Sequence, residues 1–138
     1  MYWQEKLTIK STGRGTFEIT SDIEKMIQDA GIQIGLCHLF IQHTSASLII
    51  SENADPSVRD DLETFMSNLC PDGDSMFTHI SEGHDDMPAH IRSVLTQTEL
   101  SIPINSGRSG LGVWQGIYLW EHRAVAHQRQ IIVTMQGE

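Results

Sequence analysis

The stretch IQIGLCHLFIQHTSASLIISEN, residues 32–53, decides the fold. It is rich in isoleucine, leucine and other strand-forming residues, and strongly β in character. Twenty-two residues are too many for one strand. The small residues at 44–47 predict a bend or a short hairpin in its middle. Helical signals flank it. Downstream, DPSVRDDLETFMSNL (55–69) has Asp55 as N-cap and Pro56 at the first helical position. Val58, Leu62, Phe65, Met66 and Leu69 form its expected buried stripe. Upstream, SDIEKMIQDAG (21–31) carries a capping box of Ser21 and Glu24, a stripe of Ile23, Met26, Ile27 and Ala30, and Gly31 as its stop.

Residues 2–10 read as a strand with Trp3, Glu5, Leu7 and Ile9 on one side. TGRG (12–15) is a turn and TFEIT (16–20) a second strand, predicting a hairpin. Residues 72–86 are polar and aperiodic, a length of loop that is more often functional than idle. Asp86 or Met87 caps a short helix with Pro88 near its start, and Ile91, Val94 and Leu95 are expected inside. ELSIPIN (99–105) is a strand whose Pro103 points to an edge or a bulge. SGRSGLG (106–112) is a turn, and two strands, VWQGIYLWEHR and RQIIVTMQ, close the chain. The order is ββαββα, a short helix, then βββ, with no linker and no repeat. Strands grouped around separate helices predict one α+β domain, 1–138, with antiparallel sheets.

Bulk properties narrow the function. No run of 18 apolar residues is present, so no membrane helix is expected. MYWQEKLTIK has neither the basic nor the apolar region of a signal peptide. Nine Lys and Arg against eighteen Asp and Glu give a net charge of −9. That charge repels nucleic acid and favours solubility and a divalent cation. Cys37 and Cys70 have no motif spacing, which suits free thiols in a reducing, cytoplasmic setting.

Three histidines stand in unusual surroundings. His43 ends a strand on the apolar face of Cys37, Leu39 and Ile41. His90 lies one helical turn after Asp86, a spacing at which a carboxylate can orient an imidazole. His122 ends the strand VWQGIYLWEH. Imidazoles among acids suit zinc or another divalent ion; the ordinary alternative is a hydrogen-bonded histidine at an element end. Glu52 shares the face of Leu48 and Ile50, where a charge needs a partner. Glu121 and His122 are adjacent on a strand and point to opposite faces unless a bulge intervenes. A hairpin at 44–47 would separate His43 from Glu52 by roughly 17 Å. They would then meet only across a subunit boundary, or if the bend lies elsewhere. NSGRSGLG (105–112) offers backbone donors around Arg108, either a phosphate cradle or a hairpin turn with an exposed arginine. Trp114, Tyr118 and Trp120 share a face that could stack on a heterocycle or simply pack. No Walker, GxGxxG, GxSxG or CxxC pattern occurs.

The motifs QHTSASL (42–48), ENADPSVRDDLE (52–63), EGHDDMPAHI (82–91), GRSGLGVWQGIYLWEHR (107–123) and terminal QGE resemble, in order, those of the YjbQ family. The resemblance runs from Trp3 to Glu138. It implies a small α+β domain with antiparallel strands in a β-sandwich, assembled as a homotrimer. It also implies a weak, secondary thiamine-phosphate synthase activity, joining hydroxymethylpyrimidine diphosphate to a thiazole phosphate with release of diphosphate. Family motif positions fall on His43, Thr44, Ser45, Glu52, Asn53, Asp55 and Asp60, then on Asp85, Asp86, His90, Arg108, Trp114, Glu121 and His122. The expectation is a divalent metal, zinc or magnesium, on His43, His90 and His122. Glu52, Asp86 and Glu121 would handle protons or support the ligands, while Arg108, Asn53 and Trp114 would bind a small phosphorylated substrate. His84 is expected to be a passenger. The alternatives are a metal- or ligand-binding trimer without catalysis, and a trimer whose polar cluster only joins subunits.

Overall fold

Burial with a period of two marks the strands, and the pattern is clearest near the C-terminus, where Arg129, Ile131, Val133 and Met135 are buried and their neighbours are not. The computed structural model describes all 138 residues. Its elements are β1 (Tyr2–Lys10), β2 (Gly15–Glu18), α1 (Thr20–Ala30), β3 (Ile34–Ile41), β4 (Ala46–Glu52), α2 (Pro56–Leu69), α3 (Asp86–Leu95), β5 (Glu99–Asn105), β6 (Arg108–Ser109), β7 (Gln115–Glu121) and β8 (Gln128–Gly137). They form two antiparallel sheets, β1-β8-β3-β5-β6 and β2-β7-β4. The expected α+β class and element order hold, with the two-residue β6 added. The core between the sheets includes Leu39, Ile41, Leu48, Leu119 and Val133, and α1 closes it with Ile23, Met26 and Ile27. β7 is buried from Gly116 to Glu121 because the helices cover its outer face, where Trp120 packs on Met66 and Cys70. Both cysteines are free and buried. No helix is long and apolar enough to cross a membrane.

The hairpin predicted for residues 2–20 is absent, and of the bend or short hairpin expected at 44–47 the structure has the bend. β1 pairs with β8, while β2 pairs with β7 in the other sheet. β3 pairs with β5 and β8, while β4 pairs with β7. In each case the turn carries the chain from one layer to the other. Alternation within a strand gives its faces but not its partner, so the local pattern could not separate a hairpin from a sandwich corner.

Helix boundaries and faces also shift. α1 begins at Thr20 without a side-chain cap. Thr20 Oγ1 instead accepts from the Ile117 amide at 2.9 Å, and Glu24 binds Ser109 rather than closing a capping box. Gly31 ends the helix in the left-handed region as expected (φ 71°). Asp55 caps α2 by accepting from the Ser57 amide at 3.0 Å. Of the stripe expected on α2, only Met66 is buried; Phe65 and Leu69 lie in the open. On α3 the inward residues are Ala89, Arg92 and Ser93, whereas Val94 and Leu95 are exposed. Arg92 is fully buried because α2 supplies Glu63 and Ser67 as partners. Pro103 sits where expected: β6 covers only the last two residues of β5.

Gly35 and Gly137 face each other across β3 and β8. A Cβ on Gly35 would lie 2.1 Å from the Gln136 carbonyl oxygen. Gly35→Ala should therefore cost about 3 kcal/mol, roughly 10 °C in Tm by thermal denaturation. Gly112→Ala, whose Cβ meets only the Gln115 side chain, should melt within about 2 °C of the parent.

Candidate metal centre

Two consecutive aspartates at the start of α3 face different partners. Asp85 Oδ2 accepts from Arg123 Nε at 2.9 Å and from the Ala124 amide at 2.8 Å. Asp86 Oδ1 pairs with Arg123 Nη1 at 3.0 Å. Asp86 Oδ2 lies 2.6 Å from His79 Nε2 and 3.2 Å from His90 Nε2. Glu82 Oε2 lies 3.2 Å from His79 Nε2. One ligand atom from each of His79, Glu82, Asp86 and His90 falls within 4.8 Å of the others. The imidazoles meet edge to face, their centroids 5.3 Å apart. Helical spacing stacks Asp86 and His90 on one face, and the loop before α3 folds back to bring His79 and Glu82 over them. Beside the cluster is a concavity of about 320 Å³ lined by Phe77, His79, Ile80, His84 and Met87 among others.

Charge in the cluster is strongly organised. The Asp86 side chain is only 4% exposed. Burial alone would raise its pKa, but the His79 and Glu82 hydrogen bonds and the Arg123 and His90 charges hold it below the ordinary value. The hydrogen bond to Asp86 raises the His79 pKa against a smaller desolvation effect. Asp85 is held low by Ala124 and Arg123 despite its burial.

Strand β7 is a ruler for the residues expected to form one site. Its seven residues span about 20 Å. At its start lie Glu52, Asn53, Arg108 and Trp114. Glu52 Oε2 accepts from the Ala54 and Asp55 amides at 3.0 and 2.7 Å, which is the partner its position demanded. Asn53 Nδ2 donates to the Val113 and Gln115 carbonyls. Arg108, in β6, lines a shallow concavity with Glu24, Gly112 and Gln115. Trp114 is 63% exposed and shares no face with the buried Tyr118 and Trp120. At the other end lie His43, Glu121, His122 and, through Arg123, Asp86 and His90. Glu121 faces inward onto Arg129 and Ser11; His122 faces outward, with Nε2 2.8 Å from Ser47 Oγ. No bulge unites them, so opposite faces hold as alternation requires.

The expected three-histidine set does not assemble within the chain. His90 belongs to the cluster. His43 Nε2 accepts from the Gln130 amide at 2.8 Å, and His122 is sealed beneath Trp120. His84 is not one of the four clustered residues, but it lines the concavity beside them. His79, Glu82, Arg123 and Arg129 were not among the residues expected from sequence. Glu82 stands in the acid-rich stretch 82–91, and His79 stands in the polar loop notable for its length. Only folding reveals their partners.

His122 carries a pH signature. Burial, with the nearby Arg92, Arg14 and Arg129 charges, pushes its pKa down to about 3. A histidine buried neutral stabilises the fold fully above its unfolded pKa of about 6.5, and that stability is lost as pH falls toward 3. Chemical denaturation from pH 7 to 4 should show a falling limb that His122→Gln flattens. For His79 the sign is opposite: its raised pKa stabilises below about 6.5 and fades as pH rises through the folded value. NMR titration of metal-free protein should give His79 a pKa above 6.5, and Asp86→Asn should return it to the ordinary range.

Comparison with known proteins agrees with this architecture. The family described as UPF0047 protein YjbQ-like matches residues 5–138. A UPF0047 protein of Synechocystis sp. is 52% identical over 135 residues, covering 98% of this chain and 92% of that protein. The UPF0047 protein YjbQ of Escherichia coli O157:H7 is 45% identical over 139 residues, all of both chains. A solved YjbQ/UPF0047 protein of Clostridium acetobutylicum superposes with a TM-score of 0.86 at 30% identity, covering 96% of this chain and 99% of that one. A hypothetical protein of Aeropyrum pernix K1 superposes at 0.88 with 25% identity over 99% of both. With its strands in two antiparallel sheets and its motifs matched along nearly their whole length, the chain belongs to the YjbQ-like UPF0047 family.

Proposed function

We propose that this chain binds a divalent cation on His79, Glu82, Asp86 and His90 and presents it to a diphosphate-bearing substrate. The observation behind this reading is the convergence of four ligand atoms within 4.8 Å around a nearly buried carboxylate. Two imidazole nitrogens and two carboxylate oxygens match a four-coordinate zinc-like ion, whereas magnesium prefers oxygen and water. Arg123 braces Asp85 and Asp86 from behind, as outer partners of ligating carboxylates do. His79 and His90 ligate only when neutral, so affinity should rise with pH through the His79 titration.

The secondary thiamine-phosphate synthase activity of the family resemblance fits this site. A divalent ion there would neutralise charge developing on a departing diphosphate. The chain itself supplies orientation: Asp86 holds both imidazoles, and Phe77, Ile80 and Met87 line room for a small heterocycle. Arg108 and Trp114 lie at the far end of β7 and do not serve the same ligand within one chain. A homotrimer would let those residues of one protomer approach the cluster of the next. The exposed apolar Ile34, Leu36 and Phe40 on β3 support self-association.

A second reading is ligand or metal binding without turnover. It is favoured by the engagement of Glu52 and Glu121 in structural bonds, which leaves neither free to move a proton. Elemental analysis of protein purified without added metal, then dialysed against zinc, should find about one ion per chain. Asp86→Asn and His90→Ala should each weaken binding tenfold or more with the melt retained. Absence of stoichiometric metal sinks the first reading and the metal-binding form of the second. Metal without thiamine phosphate formation above the variants' rate leaves only the second.

A further inference from the structure

A second polar concavity lies where β3 crosses to the other sheet, about 490 Å³ in volume and lined by Gln42, His43, Thr44, Ser45, Thr98 and Arg129 among others. We propose that it binds the carboxylate of a small organic acid. The proposal does not rest on the metal cluster.

Every uncommitted polar side-chain group around Arg129 in this concavity has a proton to donate. Arg129 is 4% exposed. Its Nε and Nη2 are engaged by Glu121 and Ser45, while Nη1 has no partner in the chain. A buried guanidinium with the N–H groups of one nitrogen unpartnered is matched to an oxyanion. His43 Nε2 accepts from the Gln130 amide, so the neutral ring carries its proton on Nδ1. Burial and the Arg129 charge lower its pKa and keep it neutral. Ser45 Oγ already accepts from Arg129 Nη2, which leaves its own proton to give. The Thr44 and Thr98 hydroxyls make no hydrogen bond within the chain and can do the same. No carboxylate lines the concavity.

Charge selects among oxyanions. Glu121 already compensates Arg129, so the concavity has donors but little net positive charge. The chain as a whole carries −9. A dianionic phosphate meets about twice the repulsion of a carboxylate for the same donors. A planar monoanion also has two oxygens to divide between the single free nitrogen of Arg129 and a neighbouring hydroxyl or imidazole donor.

The test uses the full-length chain, isotopically labelled, titrated with sodium acetate at constant ionic strength set by chloride. His43 ring and Arg129 guanidinium nitrogen shifts are monitored by NMR, with inorganic phosphate as a parallel arm. Acetate should saturate these shifts at a concentration at least fivefold below phosphate. The double variant Thr44→Val/Thr98→Val, which keeps shape and removes two donors, should weaken acetate at least fivefold with an unchanged melt. His90→Ala, in the metal cluster, should leave acetate affinity as in the parent. Arg129→Lys should lose saturation, and if it does not fold the threonine pair carries the decision. Three results would overturn the proposal: no saturable shift with acetate, phosphate binding as tightly as or tighter than acetate, or the threonine double variant matching the parent.

Discussion

The buried ion pair between Glu121 and Arg129 is the constraint on which the rest of the structure hangs. It joins β7 in one sheet to β8 in the other, with neither residue more than 4% exposed. Ser11 and Ser45 fill further hydrogen-bonding positions on the pair. A buried pair with its lone pairs and protons satisfied is tolerated, but removing one partner costs about 3–5 kcal/mol. Each partner therefore obliges the other to stay in place, which ties the two sheets together at this end of the sandwich.

That anchor sets the direction of the next two residues. With Glu121 turned inward, His122 must turn outward, where Ser47 and Trp120 enclose it. Arg123 then leaves the strand and reaches Asp85 and Asp86 at the start of α3. Three successive residues thus bind three different layers. The last of these contacts fixes the carboxylate around which His79 and His90 gather. The cluster is built from a loop and a helix end, yet it inherits its position from the sheet.

Polar chemistry is divided between the two ends of β7. At one end, Glu52 and Asp55 spend their hydrogen-bonding capacity on the entry to α2, and Asn53 spends its amide on the carbonyls that lead into β7. At the other, Glu121 and Asp85 are likewise committed to arginines and backbone amides, whereas His79, Glu82, Asp86 and His90 turn their ligand atoms toward one another. A group whose lone pairs are consumed by backbone amides is a poor ligand and a poor base. That separates residues with the same side chains into structural and chemical sets.

Much of the fold was legible in the residues alone. Asp55 with Pro56 marks the start of α2, Gly31 ends α1, and the period-two patterns mark the strands, because each depends on neighbours within a few positions. The pairing of Asp86 with His90 was equally legible, since four residues make one helical turn. Strand partners, the inward face of α3 and the company of each histidine were decided only by tertiary structure. Sheet pairing joins Lys10 to Gln128, a buried Arg92 needs Glu63 from another helix, and His79 meets His90 through a folded loop. Such contacts depend on closing long loops, and no local spacing encodes which distant segment will fill the gap.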